Sequence, residues 1–245
     1  MGQISSAPPA WEVEVQGITK SFGSHPALRG IDLKVRKGEF LVIFGPNGAG
    51  KTTLIRVLAT TMKPSSGSVR IAGFYLRDNP VQIRRKIGLV SHQSFLYDDL
   101  TAFENLKFYG RMYDVPNLEG RIHTVATQFE LTPRLHHQVR TLSRGLRQRL
   151  SIARAVIHNP PIMLLDEPET GLDQQATAML KELLEALSAE GGTVIMTTHR
   201  LEYGLEMGDH VAIMDGGKIA YEESKQSLDI EDLRQTYYRF TGARR

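Results

Sequence analysis

A glycine-rich octapeptide, residues 45–52 (Gly-Pro-Asn-Gly-Ala-Gly-Lys-Thr), holds the residue types needed to bind a phosphate group. It follows an apolar run and precedes a helical pattern, which is the strand, loop and helix setting that a phosphate-binding loop requires. Glycines let backbone N–H groups point at phosphate oxygens, and the dipole of the following helix favours the same anion. The sequence therefore predicts a phosphate site here, with a glycine-rich turn that binds nothing as the alternative.

Lys51 and Thr52 close this loop and carry its charged and polar groups. The ammonium group of Lys51 is expected to bridge the β- and γ-phosphates of a nucleoside triphosphate, and the Thr52 hydroxyl is expected to ligate Mg²⁺. The residues predicted to bind nucleotide in this loop are Gly45, Pro46, Asn47, Gly48, Ala49, Gly50, Lys51, Thr52 and Thr53.

Two adjacent carboxylates, Asp166 and Glu167, come directly after the apolar run at residues 162–165. Ligands of open α/β sheets bind at this carboxyl end of the strands. Asp166 is expected to hold hydrated Mg²⁺, and Glu167 to orient or deprotonate an attacking water. A polar strand end, stopped by Pro168, is the alternative, and the presence of the phosphate loop favours the metal and the base.

The elements that must position these groups are short apolar runs that alternate with helical patterns. The apolar runs span residues 40–44, 87–90, 162–165, 194–196 and 211–214, and the helical patterns span 51–61, 101–113, 118–130, 144–157, 173–189 and 227–240. Continuous apolar strands suit a parallel sheet that is covered on both faces. Strands that alternate with helices make an α/β domain the predicted fold class.

The same patterns predict how the chain is divided. Residues 1–10 are small, polar and proline-containing, which predicts a disordered tail before the alternating run that opens at Trp11. Residues 95–157 carry helical patterns and no clear strand, so we expect a helical subdomain between two core segments. The core segments are predicted at 11–94 and 158–221, with a closing helix within 222–245.

Residues 142–146 (Leu-Ser-Arg-Gly-Leu) form a second candidate anion cradle, because Ser143 and Gly145 lie at a predicted helix N-terminus. With the phosphate loop and the Asp-Glu pair, this pentapeptide closely resembles the signature sequence of the ATP-binding subunits of ABC transporters. In that family the cradle contacts the γ-phosphate of ATP held by a second subunit. Arg144 and Leu146 depart from the family's glycine and glutamine, and Arg144 either adds a charge near that phosphate or points to solvent.

The resemblance runs from residue 11 to about residue 221 and implies roles for four more residues. Gln93 matches the glutamine that senses Mg²⁺ and faces the membrane partner. Asp173 matches an aspartate that reaches across the dimer, and His199 matches the switch histidine that contacts the γ-phosphate. Phe22 occupies the place of the aromatic residue that stacks on adenine.

The resemblance also implies a fold and an activity. The expected fold is a P-loop NTPase with a RecA-like core, an N-terminal antiparallel β subdomain and the helical insertion. The expected activity is that of an ATPase that uses ATP and Mg²⁺, dimerises with itself or another ATP-binding subunit, and powers a separate membrane permease. Glu167, His199 and Gln93 would be its catalytic residues, and Gln93 would join Thr52 and Asp166 at the metal.

The sequence is most similar to subunits of bacterial exporters for drugs, polysaccharides or haem, and the signature variant favours the haem exporter of cytochrome c maturation. A soluble ABC-type ATPase that acts on nucleic acid or the ribosome is the alternative function. The chain of 245 residues has no cysteine and a net charge of +3 without a basic block, so we expect no thiolate metal site and no direct nucleic-acid binding. No apolar run approaches the ~18 residues that span a bilayer, so we do not expect the chain to cross a membrane. The resemblance implies a peripheral protein at the cytoplasmic face of the membrane.

Overall fold

The computed structural model describes residues 11–170 and 172–242, and within them ten strands form two sheets. The strands are β1 (Val13–Phe22), β2 (His25–Val35), β3 (Phe40–Phe44), β4 (Ser66–Ile71), β5 (Phe74–Tyr75), β6 (Ile87–Val90), β7 (Ile162–Asp166), β8 (Thr193–Thr198), β9 (His210–Asp215) and β10 (Lys218–Ser224). The tail predicted at residues 1–10 lies outside the described residues.

Eight α-helices occur in the same part of the chain. They are α1 (Lys51–Leu58), α2 (Pro80–Arg84), α3 (Ala102–Met112), α4 (Leu118–Gln128), α5 (Arg144–Val156), α6 (Gln174–Ala189), α7 (Leu201–Met207) and α8 (Ile230–Thr241). Within the closing segment predicted at 222–245, β10 continues to Ser224 and α8 begins at Ile230. Residues 243–245 of that prediction lie outside the described residues.

The six-stranded sheet is the centre of the molecule, with the strand order β10-β9-β3-β8-β7-β6. Its strands are parallel except β10, which runs antiparallel to β9. All five predicted apolar runs are strands of this sheet, so the parallel core is confirmed. Every residue of β3 and β8 is buried, since apolar cores cover both faces of the sheet.

The four-stranded sheet is antiparallel, with the order β2-β1-β4-β5. Its apolar side chains share one core with α1 and one face of the central sheet. Only β1 was predicted from the pattern of residues. In β2 and β4, buried and exposed positions alternate irregularly, and the pairing of β1 with β2 shifts its register several times.

Residues 95–157 are all described and contain α3, α4 and α5, with a single bridge between Thr101 and Gln138 as their only β pairing. Thr101 and Glu104 begin α3 with reciprocal side-chain to backbone hydrogen bonds, which fix its first turn. The three helices pack on one another, and α5 contacts β6. Among the described residues, no helix is both long enough and apolar enough to span a bilayer.

Candidate active site

The neighbouring parallel strands β3, β8 and β7 end side by side, and the loops that follow them carry the candidate site. Phe44 pairs with Thr198, and Asp166 pairs with Thr197, at these strand ends. The phosphate loop follows Phe44, and His199 follows Thr198. Groups that are far apart in the sequence therefore meet at the carboxyl edge of the sheet, where ligands of such folds bind.

Two glycines of the phosphate loop are required by the close approach of neighbouring backbone. A Cβ atom on Gly45 would lie 2.3 Å from the carbonyl oxygen of Met214 in β9. Gly50 has a φ of 102°, and a Cβ atom there would lie 2.6 Å from the carbonyl oxygen of Ala27 in β2. Because no side chain fits at either position, the loop is held between the two sheets.

The predicted loop residues come together around one cleft of about 290 Å³. The residues that line it are Ala27, Pro46, Asn47, Gly48, Ala49, Gly50, Lys51, Thr52, Thr53 and Glu167. A larger hollow of about 1060 Å³ lies between the smaller sheet and the edge formed by β9 and β10. None of the predicted site residues lines that hollow, so the chemistry belongs to the smaller cleft.

Lys51 is 5% exposed, and its ammonium group contacts both the loop and the carboxylate across the cleft. Nζ donates hydrogen bonds to the carbonyl oxygens of Gly45 at 2.7 Å and Pro46 at 3.2 Å. It also lies 3.4 Å from Oε1 of Glu167. A buried ammonium group needs such partners, and it can turn from them towards a phosphate of higher charge.

Asp166 is 2% exposed and joins two hydroxyl groups through a single carboxylate oxygen. Oδ1 accepts hydrogen bonds from the hydroxyls of Thr52 at 3.1 Å and Thr197 at 2.8 Å. Carboxylate and hydroxyl oxygens are ligands that Mg²⁺ prefers, so Thr52 and Asp166 fit a magnesium site. Within residues 11–170 and 172–242, no three His, Cys, Asp or Glu side chains cluster as a metal site, so phosphate oxygens and water would complete the shell.

Glu167 lies at the centre of the polar groups, which we call the Glu167 cluster: Lys51, His92, Glu167 and His199. Its Oε2 lies 3.5 Å from Nδ1 of His199 and 3.8 Å from Nε2 of His92. Its φ of 47° is rare for a residue other than glycine, and hydrogen bonds from its N–H to the carbonyl and hydroxyl oxygens of Thr197 hold it there. This backbone directs the carboxylate towards the cleft, where it can accept a proton from water.

His92 and Thr197 belong to the site, and the sequence analysis missed both. Only their position next to predicted site residues could have indicated them: His92 precedes Gln93 in the loop after β6, and Thr197 lies two residues before His199. Gln93 was predicted at the metal, but its side chain is exposed and forms no hydrogen bond with any described residue. No hydrogen bond joins Gln93 to Asp166 among the described residues, and the role of Gln93 at the metal stays a prediction.

Phe22 ends β1, and its ring is 48% exposed. The Lys20 ammonium group lies 5.4 Å from the centroid of this ring. The β1–β2 hairpin that carries Phe22 also carries Ala27, whose carbonyl oxygen packs at Gly50. An exposed aromatic ring on this hairpin can stack on a nucleotide base.

Ser143 and Asp173 cap the N-termini of two helices, as the residue types predict. The Ser143 hydroxyl accepts a hydrogen bond from the N–H of Leu146 in α5 at 3.3 Å. The Asp173 carboxylate accepts one from the N–H of Ala176 in α6 at 2.7 Å. This hydrogen bond, with the nearby charge of Arg149, holds the pKa of Asp173 below its usual value.

The two caps contact each other and form the signature cluster: Ser143, Gly145, Arg149 and Asp173. A Cβ atom on Gly145 would lie 3.3 Å from Oδ2 of Asp173, and Nη2 of Arg149 lies 3.4 Å from the same oxygen. Arg144 is exposed and forms no ion pair with a described residue, so it points to solvent. Among the described residues, no hydrogen bond or ion pair joins the signature cluster to the Glu167 cluster.

The comparison with known families agrees with this geometry. The family model described as ABC transporter matches residues 28–170, which is more than half of the chain. The chain belongs to the ABC transporter family. Its predicted identification as an ATP-binding subunit of an ABC transporter is confirmed by the relatives and structures that resemble it.

Three curated relatives of this ABC transporter subunit are ATP-binding proteins. The ABC transporter ATP-binding protein NatA of Bacillus subtilis (strain 168) is 36% identical over 205 residues, which cover 82% of this chain and 83% of the relative. The Nod factor export ATP-binding protein I of Cupriavidus pinatubonensis is 35% identical over 222 residues, 89% and 68% of the two chains. The daunorubicin/doxorubicin resistance ATP-binding protein DrrA of Streptomyces peucetius is 34% identical over 232 residues, 92% and 70% of the two chains.

Solved structures confirm the P-loop NTPase fold. An ATP-binding subunit of an ABC transporter superposes with a TM-score of 0.83 at 28% identity, covering 94% of this chain and 95% of that chain. A dimeric ATP-binding cassette in a post-hydrolysis state, bound to ADP and Pi, superposes with a TM-score of 0.80 at 32% identity, covering 87% and 98%. The chain is thus an ATP-hydrolysing subunit that powers an ABC transporter, as the sequence predicted.

Proposed function

We propose that this subunit hydrolyses ATP at the Glu167 cluster to drive an exporter through a separate membrane permease. The observation that carries the proposal is the convergence on Glu167, whose two carboxylate oxygens lie 3.4 Å from Nζ of Lys51 and 3.5 Å from Nδ1 of His199. Relatives named for Nod factor export and for daunorubicin resistance support export as the direction of transport.

Each group at the cleft has a task in this proposal. The loop N–H groups and Nζ of Lys51 bind the β- and γ-phosphates. Thr52 and Asp166 would hold Mg²⁺, which when bound offsets the negative charge of the phosphates. Glu167 accepts the proton of the attacking water as the bond between the γ-phosphorus and ADP breaks, while His199 holds the γ-phosphate and keeps Glu167 aligned.

The second half of the active site is proposed to come from another ATP-binding subunit, either an identical copy or a relative. Ser143 and Gly145 at the start of α5 would bind the γ-phosphate held by that subunit, and Asp173 would reach across the interface. No described residue accepts a hydrogen bond from the N–H of Arg144 or Gly145, which leaves both groups for a phosphate. The dimeric cassette bound to ADP and Pi supports such an assembly.

Two further contacts complete the proposal. Phe22 would stack on adenine, since its ring is exposed in the hairpin that also carries the cleft residue Ala27. Gln93 would sense Mg²⁺ and pass its state to the permease, because it lies in the loop between the core segment 11–94 and the helical subdomain 95–157. The subunit would then bind its permease peripherally, at the cytoplasmic face of the membrane. In this division of the chain, residues 158–221 form the second segment of the core.

The experiment that tests this function is capture of the full chain from its native membranes. Mild detergent extraction of cells carrying the tagged Glu167→Gln chain, followed by mass spectrometry, should recover one multi-span permease that is absent with the tag alone.

Small-molecule cargo, either drug-like or haem for cytochrome c maturation, is the proposed substrate class, and co-purification of haem-handling proteins would indicate haem. Recovery of ribosomal proteins or nucleic acid without a permease would overturn the proposal in favour of the alternative function.

A further inference from the structure

Glu169 is a buried carboxylate, two residues after Glu167, that the hydrolysis scheme does not use. It is 7% exposed, and its Oε1 accepts a hydrogen bond from the Thr198 hydroxyl. Its Oε2 is buried without a hydrogen-bond partner among the described residues. Burial of an incompletely bonded carboxylate is unfavourable, so its presence points to a specific role for the bond that it makes.

Thr198 connects Glu169 to the loop that carries His199. Thr198 is fully buried at the end of β8, and its hydroxyl donates to Glu169. The same hydroxyl oxygen accepts a hydrogen bond from the N–H of Arg200 at 3.0 Å. Hydrogen bonds therefore hold the residues on both sides of His199. The His199 side chain itself is 53% exposed, and its one polar contact with a described residue is Glu167.

Two of the hydrogen bonds between these chain segments join the residues around Glu167, at the end of β7, to those before His199, at the end of β8. In the first, the Glu167 N–H donates to the carbonyl oxygen of Thr197 at 3.0 Å. In the second, the Glu169 side chain, two residues after Glu167, accepts from the hydroxyl of Thr198, one residue after Thr197. The first connection fixes the backbone of Glu167, and the second is the one that reaches the turn at His199. Loss of the second would leave His199 free to move relative to Glu167.

Tyr203 closes the other side of the Glu169 carboxylate. It lies on α7, is 8% exposed, and its hydroxyl is buried without a partner in the described part of the chain. Burial first, and then the negative charge of Glu169, raises the pKa of Tyr203 to about 12. The phenol therefore stays protonated, and a water between its hydroxyl and Glu169 would satisfy both unpaired groups and keep the carboxylate oriented towards Thr198.

We propose that Glu169 is a positioning residue for ATP hydrolysis, which acts through the Thr198 hydroxyl to hold His199 in register with Glu167. This inference rests on the roles proposed above for Glu167 and His199. Glu169 is not among the residues that line the nucleotide cleft, so its effect should appear in the rate of the chemical step and not in the binding of ATP.

Four variants of the full chain separate the hydrogen bond from packing. Thr198→Val and Glu169→Leu remove the bond at similar volume, whereas Thr198→Ser and Glu169→Gln keep a donor hydroxyl and an acceptor oxygen. We expect the first two to lower kcat for ATP hydrolysis about 10- to 100-fold with KM for ATP within about 3-fold, because misplaced catalytic groups slow the chemical step. The conservative pair should stay within about 3-fold of the unsubstituted chain.

Two further readouts distinguish positioning from a general loss of structure. The double variant Thr198→Val with Glu169→Leu should lose no more activity than the worse single variant, because both act through one bond. In NMR spectra, the imidazole signals of His199 should broaden in Thr198→Val and remain sharp in Thr198→Ser. The signals of His92, which lies on another loop, should be unchanged in both.

An unchanged kcat in Thr198→Val, or an equal loss in Thr198→Ser, would overturn the inference. If Glu169→Leu fails to fold, the Thr198 pair still decides, since both variants keep the carboxylate. In the unsubstituted chain the Thr198 hydroxyl proton should exchange slowly with solvent, and rapid exchange would contradict the bond itself. Failure of the proposed function looks different, because Glu167→Gln and His199→Gln would then retain turnover.

Discussion

The Glu167 cluster and the signature cluster are both groups of polar side chains near helix starts, but they are built in opposite ways. Around Glu167, groups from α1, β7 and the loops after β6 and β8 contact one another over long stretches of sequence. In the signature cluster, Ser143 and Asp173 bond mainly to N–H groups three residues later in their own helices. The first cluster is assembled by the fold, whereas the second consists of two capped helix starts placed side by side.

This contrast indicates which part of the ATP site a single chain contains. The Glu167 cluster already has a cation, a base and a histidine beside the phosphate loop, so of the two clusters nucleotide binding should depend on this one only, together with the loop and Phe22. The signature cluster leaves its first helical N–H groups without an acceptor among residues 11–170 and 172–242, so these groups are available to a phosphate. Hydrolysis should therefore need both clusters, and binding only the first.

The largest effect is expected for Glu167→Gln, which leaves the cleft intact and removes the group that accepts the proton. The value of kcat should fall about 10²- to 10⁴-fold, the usual contribution of a general base. ATP should still bind, because Lys51 and the loop are unchanged, and the ATP-bound dimer should accumulate in sedimentation experiments. Glu182→Gln, on the exposed side of α6, is the matched control and should retain full turnover. Rapid hydrolysis by Glu167→Gln would show that another group takes the proton.

Lys51→Ala should instead weaken nucleotide binding. The ammonium group contacts the cleft carboxylate and the loop together, and charge-assisted hydrogen bonds of this kind are worth about 1.5–3 kcal/mol. We therefore expect the Kd for ATP to rise about 10- to 100-fold in equilibrium binding measurements. Lys86→Ala, an exposed lysine before β6, is the control. Unchanged affinity in Lys51→Ala would contradict the assignment of the phosphate loop.

Much of this contrast follows from the sequence, because its determinants are local. Continuous apolar runs identified the strands that are buried on both faces. The phosphate loop after β3 was recognised from the spacing of its glycines and lysine, which few other loops share. Ser143 was expected at a helix start and caps α5. The strands β2, β4 and β5 were missed because partly exposed strands with register shifts have no regular period.

The contacts of the site were harder to predict, since they depend on how loops approach one another. His92 has no pattern of its own and joins Glu167 only because β6 and β7 are adjacent in the sheet. The bond between Glu169 and Thr198 likewise requires β7 and β8 to be paired in register. The role of Gln93 at the metal stays a prediction, because its side chain forms no hydrogen bond with any described residue.

Mixing two inactive variants tests whether the clusters face each other across a dimer. Lys51→Ala lacks a working phosphate loop, and Gly145→Asp puts a second carboxylate beside Asp173, where it repels an incoming phosphate. Each should hydrolyse little ATP alone, and a mixture should regain part of the activity, since one site of the mixed dimer joins the intact halves. A mixture of Lys51→Ala with Glu167→Gln is the control and should stay inactive. Absence of rescue in the first mixture would place both clusters' roles within one chain.

The smallest expected effect separates the two functions of Ser143, which caps α5 and is proposed to bind a phosphate. Ser143→Ala removes the cap and should destabilise the fold by about 1 kcal/mol, seen as a fall in Tm of about 2–4 °C. Ser143→Asp preserves the cap, so its Tm should stay close to that of the unsubstituted chain, but its charge should oppose the phosphate and weaken ATP-dependent dimerisation. If Ser143→Asp dimerises normally with ATP, then Ser143 stabilises only its own helix, and the trans contact must rest on the N–H groups of α5 alone.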